Sequence, residues 1–231
     1  MTRPITAPER GRFITFEGPE GSGKTTQAAR LVSTLRERGI PVLSTREPGG
    51  TVLGERIREI LLAPSDEPVD PLADALLFNA ARRQLVSEVI EPALAAGTTV
   101  ICARFADSTR AYQGYGEGLP LGELERLEGI ATGGLRPDRT ILLDVPVEIG
   151  LARKAPDDQT RFETGFDVAF HQRVRSGFMR MAAADPARFV VVDAGADADD
   201  VARSVVRAVD PLLASGEAAD EPKSSDERIS G

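Results

Sequence analysis

One cysteine, one histidine and no tryptophan occur in the 231 residues. Cys102 alone cannot form an internal disulfide or a four-thiolate zinc site. His171 alone cannot supply a His-rich metal centre, and no Ser-His-Asp hydrolase can be built on any other histidine. No apolar run approaches the ~18 residues that cross a bilayer. Met1–Arg12 is polar, carries two prolines and lacks the apolar stretch of a secretory signal. Positive charge is also short: Lys+Arg is 28 against Asp+Glu 36, a net charge of −8. That argues against nucleic-acid binding through a broad basic face. An anion site on this chain must be a local concentration of positive charge on an acidic body. Together these shortages predict a cytoplasmic protein with no membrane and no nucleic-acid partner.

Hydrophobic residues make up 41% and charged residues 28%, which is enough for a packed core. Short β-branched runs at Phe13–Glu17, Pro41–Ser44, Thr98–Cys102, Thr140–Asp144 and Phe189–Asp193 read as strands. Helical patterns separate them: Thr25–Arg38, Val52–Ala63, Asp74–Ala96, Leu121–Thr132, Val147–Lys154, Gly165–Ala184 and Asp199–Leu213. Pro92 is expected to kink or divide the third of these. Buried-type strands alternating with helices predict an α/β fold, a five-stranded parallel sheet with helices on both faces. Residues 1–11 read as a flexible lead, 12–214 as one domain and 215–231 as a disordered acidic tail.

Gly18-Pro19-Glu20-Gly21-Ser22-Gly23-Lys24-Thr25 fits G-x-x-x-x-G-K-[ST], with a strand before it and a helix after it. Its glycines let successive N–H groups turn toward one anion, and the helix adds its positive N-terminal end. Lys24 can reach the terminal phosphates of a nucleoside triphosphate, and the Thr25 hydroxyl can ligand Mg²⁺. Thr26 completes the loop. This motif predicts a P-loop NTPase-type fold without choosing among kinase, GTPase and motor.

Three further segments bear on that choice. Thr45-Arg46-Glu47-Pro48-Gly49-Gly50-Thr51 follows the second strand, at the sheet edge where α/β proteins bind ligands, and Arg46 offers a fork suited to a phosphate. Taken alone it also reads as a surface turn. Phe78 and Arg82 are four apart and share a helix face, where a ring beside a guanidinium could stack a base and bond its edge. Taken alone, Phe78 reads more naturally as core. After the third strand, Arg104 stands at a strand end, and Ser108, Thr109, Tyr112 and Gln113 provide groups that read a base and sugar. By itself this stretch is equally a polar loop.

TFEGPEGSGKTT, TREPGGT, LLFNAARRQ and ADSTRAYQGYGEG, in this order, closely resemble the bacterial thymidylate kinase family, over about Phe13 to Val209. The resemblance implies a P-loop nucleoside monophosphate kinase fold, usually dimeric, that transfers the ATP γ-phosphate to dTMP with Mg²⁺. It implies that Lys24 and the loop amides hold ATP phosphates and that Glu20 contacts the deoxyribose 3′-hydroxyl. Arg46 and Arg104 correspond to the arginines on the dTMP phosphate, Phe78 to the thymine-stacking ring and Arg82 to the arginine at a thymine carbonyl. Thr109 and Gln113 correspond to polar contacts of the base, and Tyr112 to the ring that crowds a ribose 2′-hydroxyl. Residues of about 153–164 correspond to the lid. Gly21 stands where some members carry an arginine, and members without it place basic residues in the lid, here Arg153 and Arg161, with Lys154 a weaker third.

Three positions depart from the family pattern. Ala103 replaces the usual acid before Arg104, with Glu163, Asp107 or Glu17 as candidates to compensate and Glu163 taken with Thr25 as the metal ligands. Ala81 and Leu85 stand where Asp and His often occur. Ala103 motivates a second reading, a nucleotide-binding variant with impaired turnover. A kinase for a related deoxynucleoside or its monophosphate is a third. His171 is expected in a structural or surface role and Cys102 as a small buried side chain.

Overall fold

The computed structural model describes residues 10–63, 69–154 and 160–217, without the side chains of 163, 164 and 215–217. The expected tail from 218 onward, residues 1–9 of the lead and lid residues 155–159 lie outside the described residues. The described chain begins before the expected domain start. Arg10 pairs with Asp138, and the Gly11 N–H donates to the Leu94 carbonyl at 2.8 Å.

Five strands, β1 (Phe13–Glu17), β2 (Val42–Arg46), β3 (Thr99–Ala103), β4 (Arg139–Asp144) and β5 (Phe189–Asp193), form one parallel sheet in the order β2-β3-β1-β4-β5. Every residue of β1 is buried, as the centre of a sheet covered on both faces requires. β2 runs two residues past the expected Ser44. Thr45 and Arg46 are polar, so the apolar run ends early, but their backbone pairing with β3 continues to Ala103. Because all strands are parallel, their C-terminal ends share one edge. That edge gathers Glu17, Arg46 and Ala103, with Phe16 opposite Ala103 and Glu17 opposite Leu142.

The helices are α1 (Lys24–Glu37), α2 (Val52–Leu62), α3 (Pro71–Leu85), α4 (Glu91–Ala95), α5 (Ala106–Thr109), α6 (Leu121–Thr132), α7 (Val147–Ala152), α8 (Arg161–Thr164), α9 (Val168–Ala184) and α10 (Ala198–Glu217). α3 starts three residues before the expected Asp74. The Asp70 side chain accepts the N–H groups of Leu72 and Ala73, and Pro71 suits the first turn. The break expected at Pro92 appears just before it, as a π-helical turn over Val86–Ile90. Proline has no N–H to continue the ladder, so the turn widens upstream of it. A second π-helical turn, Arg110–Gly116, continues α5 where the sequence reads as a polar loop. α10 extends to Glu217, three residues past the expected domain end.

On one face of the sheet, Ile14, Phe16 and Ile141 pack against Leu31, Leu35, Val201 and Val205 of α1 and α10. On the other, Phe13 and Val100 meet Leu85, Ile90 and Phe105. Leu142 meets Tyr112, Phe170 and Phe178. Cys102 is buried as expected, and burial pushes its thiol pKa up. His171 is buried beside the Phe170 ring, which leaves the structural of its two expected roles. Ala81 and Leu85 are core residues, so these two departures from the family pattern lie behind the site. No helix among the described residues is long and apolar enough to cross a membrane.

Candidate functional site

At the strand-end edge lies a cleft of about 910 Å³. Its floor on one side is the loop Gly18–Gly23 between β1 and α1. Lys24 is buried, and its ammonium donates to the Gly18 and Pro19 carbonyls at 3.0 and 2.7 Å and to Ser22 Oγ at 3.1 Å. Burial, with Arg104 adding to it, pushes the Lys24 pKa down to about 7, against the opposite pull of Glu20. Thr25 and Thr26 open α1 on the cleft wall. Gly18 and Pro19 are not among the lining residues and contribute the carbonyls that hold Lys24.

The backbone around Gly21 shows why the loop holds glycine at this position. Its φ is +66°, and a Cβ there would lie 1.9 Å from the Gly150 carbonyl oxygen. The contact is reciprocal, since a Cβ on Gly150 would lie 2.2 Å from the Glu20 carbonyl oxygen. α7 therefore rests on the phosphate loop through two glycines. Gly150→Ala is expected to displace the loop and lower kcat/KM for ATP by about 10²-fold. Steady-state kinetics of the folded variant check this, and unchanged ATP kinetics would mean the loop tolerates the displacement.

Beside the loop, Arg104 has φ 68°, a left-handed conformation unusual for a residue with a side chain. Its N–H bonds the Phe16 carbonyl at 2.9 Å. Its guanidinium donates to Glu20 Oε1 at 2.7 Å, Ser108 Oγ at 3.2 Å, Tyr112 Oη at 3.3 Å and the Gly18 carbonyl at 3.4 Å. The Tyr112 hydroxyl donates to the same Glu20 oxygen at 2.8 Å. Against the upward push of burial, Arg104, Lys24 and Lys154 hold the Glu20 carboxyl well below the usual range. Burial works against the Arg104 charge, but Glu20, Tyr112 and Glu17 raise its pKa.

Deeper in the cleft, Arg82 is 1% exposed. Its Nε donates to Glu47 Oε2 at 2.9 Å, and its terminal nitrogens donate to Asn79 Oδ1 and Thr109 Oγ1, each at 3.0 Å. Burial pushes the Glu47 carboxyl up, with Arg82 opposing it. Phe78, Ser108, Thr109, Tyr112 and Gln113 line the same half, and Arg46 lines its rim in a two-fold ion pair with Glu55 at 2.9 and 3.0 Å. Sequence reasoning missed Glu47 and Phe162, which also line the cleft. Glu47 was legible only as part of TREPGGT, because its partner is 35 residues away. Phe162 stands next to Arg161, whose charge drew the reading of that segment.

Arg153 and Lys154 line the cleft, with Arg153 donating to the Ala194 carbonyl at 2.9 Å. Arg161 does not reach the wall. Its guanidinium bonds Asp74 and the Leu61 carbonyl. Among the three candidates to replace the acid missing at Ala103, two are engaged elsewhere. Asp107 accepts from Arg188 at 2.6 and 3.1 Å. Glu17, fully buried, accepts from the Phe105 N–H at 2.7 Å and from the Ser108 hydroxyl at 2.6 Å. The side chain of Glu163 lies outside the described residues.

A parallel sheet with this phosphate loop at its central strand, facing a second polar half across one cleft, defines a P-loop phosphotransferase of the nucleoside monophosphate kinase class. The comparisons narrow the class. The sequence profile described as "Thymidylate kinase" matches residues 16–205. A thymidylate kinase of Synechococcus sp. (strain JA-2-3B'a(2-13)) is 50% identical over 210 residues, 91% of this chain and 100% of that protein. One from Thermomicrobium roseum is 54% identical over 206 residues, 88% of this chain and 97% of that protein. The crystal structure of thymidylate kinase from Ehrlichia chaffeensis superposes with a TM-score of 0.70 at 36% identity, covering 86% of this chain and 98% of that one. The chain belongs to the thymidylate kinase family.

Proposed function

We propose that the chain transfers the γ-phosphate of ATP to dTMP, giving dTDP and ADP. The observation that carries this reading is the junction of the two halves of the cleft. Arg104, in the acceptor half, is bonded to Glu20 and to the Gly18 carbonyl of the phosphate loop. Donor and acceptor phosphates therefore meet between Lys24 and Arg104. A dTMP phosphate oxygen attacks the γ-phosphorus in line, and the bond to the β,γ-bridging oxygen breaks toward ADP. No covalent enzyme intermediate is needed, and the protein's work is alignment and charge neutralisation.

In this reading Lys24 and the backbone N–H groups of Glu20 to Thr26 hold ATP, and Arg153 with Lys154 supplies charge from the lid side. Arg46 and Arg104 hold the acceptor phosphate. Glu20 and Tyr112 meet the sugar, Phe78 stacks the base, and Arg82, Ser108, Thr109 and Gln113 read its edges. Among the described residues no group of three or more His, Cys, Asp or Glu could hold a metal ion. The exposed Thr25 hydroxyl at the loop is a hard oxygen donor. That set suits Mg²⁺ carried mainly by phosphate oxygens and water, with Thr25 as its protein ligand and Glu163 as the proposed second. When bound, the ion neutralises phosphate charge.

Coupled ADP release with dTMP, dUMP, dCMP and thymidine as acceptors tests the proposal. dTMP is expected to be the preferred acceptor. Preference for thymidine would indicate a nucleoside kinase instead. Background turnover restored by Ala103→Asp would indicate the impaired variant, which relatives of this identity over most of the chain do not favour.

A cytoplasmic homodimer is part of the same proposal. α2 packs on α3 and α3 on α6. These helices expose the apolar side chains Val52, Ile60, Leu72, Leu76 and Ile130, which supply candidate contacts for a second copy. Sedimentation is expected to give twice the chain mass of 24.7 kDa, and Leu76→Arg to shift it toward one chain. A single-chain mass for the unmodified protein would exclude the dimer.

A further inference from the structure

α3 carries Asp74, Phe78 and Arg82 at intervals of four, on one face. Two of these belong to the acceptor half of the cleft, and the third reaches out to α8. Arg161 bonds Asp74 and also the Leu61 carbonyl at the end of α2. Its guanidinium lies 4.6 Å over the ring of Phe162. That ring is buried yet lines the cleft. It sits 6.2 Å from the Phe78 ring and 5.7 Å, edge to face, from the Tyr112 ring. Phe162 thus closes an aromatic corner around the space where the base and sugar are proposed to lie.

We propose that Phe162 is a binding wall for the acceptor nucleoside and that Arg161 is the positioning residue that holds it there. Arg161 acts on the acceptor through Phe162, not on the transferred phosphoryl group. Physical reasons favour this over the lid-cation role expected from sequence. Asp74 is 1% exposed, and drawing Arg161 away to a phosphate would leave its carboxylate buried without its charge partner. Arg153 and Lys154 already bring cations to the cleft wall. The proposal rests on the acceptor reading of the Phe78 and Arg82 half.

The test is steady-state kinetics of the full chain with dTMP and ATP varied separately, together with calorimetric titration of dTMP without ATP. Arg161→Gln is expected to raise KM and Kd for dTMP about tenfold, with KM for ATP and turnover changed less than about twofold. Phe162→Ala is expected to do the same, with Phe162→Leu recovering most of the loss. The Arg161→Gln/Phe162→Ala double variant should be no worse than Phe162→Ala alone, since both changes act on one wall. Turnover slowed by roughly a hundredfold or more, at unchanged dTMP affinity, would overturn the proposal in favour of a phosphoryl contact. Equal shifts in both substrates, additive losses or no shift would overturn it too. Should Arg161→Gln not fold, the Phe162 pair decides by the same dTMP readings. Failure of the unmodified chain to phosphorylate dTMP would instead sink the function itself, which separates the two outcomes.

Discussion

Arg104→Ala is expected to lower kcat/KM for dTMP by about 10²–10³-fold, the scale of losing a positioned donor on a developing phosphoryl charge. The loss has two sources. The guanidinium proposed to hold the acceptor phosphate disappears, and Glu20 loses its main charge partner, at 2.7 Å. With Arg104 gone, Lys24 and Lys154 remain to hold the Glu20 carboxylate, the latter at 3.8 Å. The acceptor half should therefore become more negative just where a phosphate must enter. Initial-rate kinetics check this, with ATP kept saturating. Arg104→Lys is expected to recover only part of the activity, because an ammonium lacks the planar fork that spans Glu20, Ser108 and Tyr112. A variant within about threefold of the parent would remove Arg104 from the acceptor site.

Glu17→Gln is expected to make stability less dependent on pH. Burial and the nearby Asp107 raise the Glu17 carboxyl from 4.5 to about 7, while Ser108, Arg104 and the Phe105 N–H pull it down. Between those values the folded chain keeps a proton that the unfolded chain has released. Stability therefore falls as pH rises through that window and stays lower above it. The shift corresponds to about 3 kcal/mol. Glutamine preserves both contacts, accepting from the Phe105 N–H through its oxygen and donating to the Ser108 hydroxyl through its amide. Urea unfolding at several pH values should show the Glu17→Gln variant gaining on the parent by about 3 kcal/mol between roughly pH 4.5 and pH 8. A constant difference across that range would mean that Glu17 titrates as an ordinary carboxyl.

Contiguous features were legible from sequence. Gly18 to Thr25 is a backbone device in which glycine conformations and a helix start are set by neighbouring residues. Its position on a buried central strand followed from the apolar run FITFE. Helix limits were legible where a local signal marks them, but the start of α3 was missed, although Asp70 and Pro71 form a cap. The π-helical turn at Arg110–Gly116 has no comparable local marker. This turn packs against α6 and α9, and a polar stretch becomes helical because its neighbours are there. Sequence placed Arg161 among the lid cations through the family resemblance. Whether an arginine faces a phosphate or a carboxylate depends on what lies across from it, and Asp74 is 87 residues earlier in the chain.

By itself, the order of residues determined the parallel sheet, its strand-end edge and the glycine-rich loop from Gly18 to Thr25, because each rests on short-range geometry and hydrophobic periodicity. Only the tertiary structure decided the partners: Glu47 with Arg82, Glu20 with Arg104, Gly150 against Gly21, and Glu17 beneath Phe105 and Ser108. Electrostatic attraction and steric exclusion act through space, and a linear sequence does not record which distant side chains or backbone atoms the fold brings within reach.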